Sequence, residues 1–96
     1  MEPANSDITV SDVVVSRAGR DQGEWFYVID ADPVYLFLAN GKDRTMEKPK
    51  RKKRKHVTKV LRSETRVAAK LRSGDKVLNG ELRRDLAFLA REFASE

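Results

Sequence analysis

The sequence predicts a mainly β fold with α-helix at its C-terminal end: a small barrel of about five antiparallel strands with one or two helices packed on it. Three observations carry this expectation. Short β-branched and aromatic runs, separated by turn residues, occupy positions 10–61. Apolar residues recur convincingly at helical spacing only near the end of the chain, from Asn79 onward. A chain of 96 residues has room for one domain and one small core, and closing a sheet that small removes its exposed edges.

Residues 1–9 are polar, contain a proline and lack periodicity, and read as a flexible tail. From Val10 the pattern changes. "VSDVVVS" packs three valines together, a run that crowds a helix and suits a strand. It ends at "RAGRDQG", Arg17–Gly23, whose glycines and polar residues read as a loop. A second strand, "EWFYVIDA", is stopped by Asp32-Pro33, and a third, "VYLFLA", follows closely enough to form a hairpin with it. Within the second strand, Phe26 and Val28 should share one face and Trp25, Tyr27 and Ile29 the other.

Asn40-Gly41 is a strong hairpin signal, because a type I′ turn needs positive φ at both central residues. It predicts a fourth strand from Lys42 through Glu47. "HVTKVL", His56–Leu61, predicts the fifth. Between them lies "KPKRKKRK", with seven Lys or Arg in eight positions, read as an anchored inter-strand loop over 48–55 that is mobile until a polyanion neutralises it. The C-terminal extension, 62–96, should hold a helix from an N-cap at Ser63 to a stop at Gly74. A second should follow from an N-cap at Asn79, with the stripe Leu82, Leu86, Leu89, Ala90 and Phe93 laid on the barrel.

Charge is distributed unevenly. Residues 1–40 carry 2 basic and 7 acidic side chains, residues 41–72 carry 14 and 3, and residues 73–96 carry 4 and 5. All of the excess positive charge therefore sits in the middle third, the footprint of a polyanion binder. With no cysteine and one histidine, disulfides and thiolate metal sites are excluded, and no paired carboxylates or phosphate-cradling motif suggest catalysis. No enzyme activity, cofactor, metal, small-molecule substrate or membrane partner is expected. No apolar run approaches the ~20 residues of a membrane span, and a cytoplasmic monomer is the expectation.

The segment from Val10 to about Leu61 resembles a KOW domain, and is most similar to short bacterial KOW-domain RNA-binding proteins grouped with KOW-bearing large-subunit ribosomal proteins of archaea and eukaryotes. The resemblance rests on Val13 and Val15 in a first strand, the basic loop Arg17–Gln22, Gly23 at its end, and a strand from Trp25 to Ile29. It is strengthened by "SRAGRDQG" followed in order by "NGKDRTMEKPKRKKRKHV". Two positions depart from the pattern: Phe26 stands where a second glycine is common, and Gln22 where a basic residue is frequent. The resemblance implies an SH3-like barrel, RNA binding with ribosomal RNA or the ribosome as partner, and no catalysis. The RNA-binding residues expected from charge, loop position and resemblance together are Arg17, Arg20, Gly23, Trp25, Lys42, Arg44, Lys48, Lys50, Arg51, Lys52, Lys53, Arg54, Lys55 and His56. A protein-interaction barrel of a transcription or translation factor and a nonspecific polyanion binder are the alternatives.

Overall fold

The computed structural model describes residues 6–95. Five strands, β1 (Asp12–Ser16), β2 (Trp25–Ala31), β3 (Tyr35–Ala39), β4 (Lys50–Lys53) and β5 (Val57–Arg62), are followed by α1 (Arg66–Ser73) and α2 (Asn79–Ala94). The strands form one antiparallel sheet in the order β4-β3-β2-β1-β5. Its two outermost strands are consecutive in the chain, joined by a single 3-10 turn at Arg54–His56. So short a link requires the sheet to roll round until its ends approach, which gives the barrel-like form expected from the sequence. Register shifts at Val13/Val14 and at Val28/Asp30 supply local bends of the kind that sharpen curvature.

Rolling divides the apolar residues into two cores. Ile8, Val14, Phe26, Val28, Leu36, Leu38 and Val57 fill the inside of the sheet. Val13, Tyr27 and Ala39 on the outside are covered by Val67, Ala68, Val77, Leu82 and Leu86 of the helical extension. The valine run of β1 is buried along its whole length because both of its faces are covered. Phe26 and Val28 fall in one core and Tyr27 in the other, with Trp25 and Ile29 against it, as the alternation of β2 requires.

A polar cluster fastens the helices to the sheet. The buried Tyr27 hydroxyl donates to the Asp85 carboxylate of α2 and lies 2.8 Å from Ser63 Oγ, and Thr65 Oγ1 donates to the same carboxylate at 2.8 Å. Burial first, and then the anionic acceptor, push the Tyr27 phenol well above its ordinary range. Thr65, and not Ser63, caps α1, accepting from the Ala68 N–H at 3.2 Å, because the helix begins at Arg66 and Thr65 is the residue before it. Gly74 ends α1 in the left-handed conformation, as expected.

Other expectations need correction. Residues 1–5 lie outside the described residues, but Ile8 from the expected tail is a fully buried part of the inner core. No strand runs through Lys42–Glu47. The Asn40 side-chain oxygen accepts the N–H groups of Lys42 and Arg44, both at 3.0 Å, and among the described residues only Gly41 of the Asn40-Gly41 pair has positive φ, so no type I′ turn forms. The fourth strand is instead the middle of the basic tract, Lys50–Lys53, which is paired to β3, so the tract is not a loop along its whole length. Asn79 is the first residue of α2 and not its cap. Its side chain binds the Met46 N–H and Glu47, each at 2.8 Å, pinning loop 40–49 to the helix, while Glu81 takes the Leu78 N–H at 2.9 Å.

Candidate nucleic-acid interface

Side chains of a strand alternate between faces, and β4 applies this rule to four consecutive cations. Lys50 and Lys52 stand opposite Leu38 and Leu36 and so share the inner face, whereas Arg51 and Lys53 stand opposite Phe37 and Tyr35 on the outer face.

The inward pair is neutralised. Lys52 is 8% exposed, and its ammonium donates to Asp21 at 2.8 Å and to the Ala18 carbonyl at 2.6 Å. Lys50 reaches the other Asp21 oxygen at 2.6 Å, and Ser16 Oγ donates to Asp21 at 2.7 Å. Burial would raise the pKa of this carboxyl, but three donors and the Lys52 charge outweigh it and hold Asp21 well below the usual carboxylate range. One acid of the Arg17–Gly23 loop thus clamps that loop to β4.

The loop closes on itself through its own backbone. Gly23 N–H donates to the Ser16 carbonyl at 2.9 Å, and Glu24 N–H to the Asp21 carbonyl at 2.9 Å. The Gly23 amide is therefore committed to the loop and not presented to an anion. Gly23 is needed for its φ of 91°, since a Cβ there would meet nothing within 4 Å. Arg20 is exposed at the loop tip. Arg17 is exposed as well, with its Nε bonded to Thr58 Oγ1 at 3.0 Å and its backbone N–H to the carbonyl of the half-buried His56 at 2.8 Å.

The outward pair lies beside aromatic residues. The Arg51 guanidinium lies 4.4 Å from the centre of the Tyr35 ring, Phe37 is the cross-strand partner of Arg51, and Lys53 is exposed. Tyr35 and Phe37 belong to neither core, so part of each ring remains accessible beside the cations. Two acids lie beside these cations: Asp30 is the β2 partner of Phe37, and the Asp32 carboxylate, held below its ordinary range first by the Tyr35 and Val34 N–H groups, also feels the Arg51 charge. Cations interleaved with accessible rings suit a polyanion whose monomers carry flat apolar faces. Sequence reasoning missed Tyr35 and Phe37. The alternation in "VYLFLA" was the available signal, since Leu36 and Leu38 must take the inside.

The remaining expected residues divide. Lys48 and Lys55 are exposed at either end of β4, and Lys42 and Arg44 are exposed on loop 40–49. Arg54 is a structural cation, with Nη1 on the Ile8 carbonyl at 2.7 Å and Nε on the Asp32 carbonyl at 2.9 Å. Trp25 is half-buried and holds the exposed Phe93 edge-on, with ring centres 5.4 Å apart. Among the described residues no three acidic or histidine side chains cluster as a metal site would need, and no helix is long and apolar enough to cross a membrane. A scan against protein-family models and a search of curated proteins both find no match for the chain.

Proposed function

We propose that this chain is a non-enzymatic RNA-binding protein of the KOW type, gripping the phosphate backbone with Arg17, Arg20, Lys48, Arg51, Lys53 and Lys55. The observation that carries the reading is the outer face of β4, where Arg51 and Lys53 stand exposed beside Tyr35 and Phe37. A tract serving only as a solvated brush has no need of a strand that presents its cations next to aromatic rings. The clamp at Asp21 supports the same reading, because it fixes the loop carrying Arg17 and Arg20 against the strand carrying Arg51 and Lys53. The binding surface is then largely formed before RNA arrives, which lowers the ordering cost of binding. The resemblance to KOW proteins favours ribosomal RNA as the partner and the cytoplasm as the compartment.

The test compares a structured RNA hairpin with a DNA duplex of equal length at physiological salt. This reading expects clear preference for the RNA. Equal affinity would mean a nonspecific polyanion binder. Absence of binding to either, with protein partners that survive nuclease and high salt, would replace it with a protein-interaction barrel.

A further inference from the structure

The outer face of β5 meets the last turns of α2 in two adjoining clefts that share Val60 and Phe93. The one nearer the Arg17–Gly23 loop has a volume of about 320 Å³, within the range of sites that take a small planar ligand. Its walls are Trp25, Phe93 and Val60, and its polar lining is Arg17, Thr58 and Lys59. Lys59 is already held by Asp12 at 3.4 Å and Asp7 at 3.7 Å, so Arg17 is the cation available to a ligand.

Three features of this cleft go together. Phe93 is 49% exposed, yet it is set edge-on to Trp25 instead of being left loose. Arg17 is positioned at the rim by its Nε bond to Thr58 Oγ1, and its guanidinium has further N–H groups to offer. Among the described residues no carboxylate lines this cleft. An apolar aromatic wall with a positioned guanidinium and a hydroxyl at its edge complements a flat base attached to an anionic phosphate.

We infer that the Trp25–Phe93 cleft is a pocket for one unpaired nucleobase of the bound RNA, with Arg17 on its phosphate. This rests on the proposed RNA binding and adds a preference: RNA carrying a bulged or flipped-out nucleotide should bind better than the same RNA without its base.

Trp25 is the sole tryptophan of the chain, so its fluorescence reports this cleft and nothing else. The full chain is titrated with a hairpin carrying a single bulged adenosine, and with the same hairpin carrying an abasic residue at the bulge. Trp25 emission is followed alongside the anisotropy of a labelled copy of each RNA. Both should bind, the intact bulge at least about fivefold tighter, and only the intact bulge should quench Trp25. Phe93→Ala, which alters an exposed ring, should remove the quench and the preference while leaving affinity for the abasic hairpin unchanged; Arg17→Gln should weaken both. Binding of both hairpins with equal affinity and no quench would overturn the pocket and leave RNA binding standing, as would a quench that survives Phe93→Ala. If neither hairpin binds, the RNA-binding reading falls and the pocket with it.

Discussion

The two faces of β4 carry the same kind of side chain and make opposite use of it. On the inner face, Lys50 and Lys52 are drawn to Asp21, and Lys52 is almost wholly removed from water. On the outer face, Arg51 and Lys53 keep their exposure, Arg51 over the Tyr35 ring and Lys53 as the cross-strand partner of Tyr35. Strand alternation thus sorts a run of like charges into cations that hold the fold together and cations available to a partner. The lysines have a further effect, because a charged edge strand resists pairing with a second chain.

The inner face should dominate stability. Asp21→Ala leaves the buried Lys52 without a counter-charge and should cost about 3 kcal/mol, measured by chemical denaturation. It should also loosen the Arg17–Gly23 loop, seen as faster amide exchange there. Because Asp21 has a folded pKa below its ordinary 3.8, its contribution is fully present above pH ~4 and fades as the pH falls toward the folded value. The stability of the parent protein should therefore decline below pH ~4 more steeply than that of Asp21→Asn. Parallel curves would mean that the clamp contributes little.

A buried polar cluster remote from β4 provides an intermediate case. Tyr27→Phe removes the hydroxyl that bridges β2 to Ser63 and Asp85, and should cost about 1–2 kcal/mol without changing RNA affinity. A loss of RNA binding in this variant would show that the helical extension shapes the interface.

Four of the strands and the final helix were legible because local pattern and tertiary packing agree there. The valine run, the alternation of "EWFYVIDA" and Leu82 and Leu86 of the final stripe each mark residues that end up buried, whereas Phe93, expected in the same stripe, is left exposed at the end of the helix. The fourth strand was not legible. Four lysines and arginines after a proline have poor strand propensity, and what holds them in the sheet is pairing to β3 and a carboxylate 29 and 31 residues away from Lys50 and Lys52. The same distance in sequence hid which cations are committed to the fold. Asn40-Gly41 misled for a local reason, since the Asn40 oxygen captures two backbone donors that a hairpin would have used otherwise.

The outer face should matter least to stability. Arg51→Ala and Lys53→Ala should each change it by no more than about 0.5–1 kcal/mol, Arg51 the more for its contact with Tyr35. Their effect belongs to binding.

The central claim, that the outward cations of β4 serve RNA while the inward ones serve the fold, is tested most directly by the salt dependence of RNA affinity in Arg51→Glu/Lys53→Glu. The account predicts at least about a tenfold loss of affinity, a plot of log K against log salt shallower by roughly 1.5–2, and a melting temperature close to that of the parent protein. Unchanged affinity and slope in a folded double variant would contradict it.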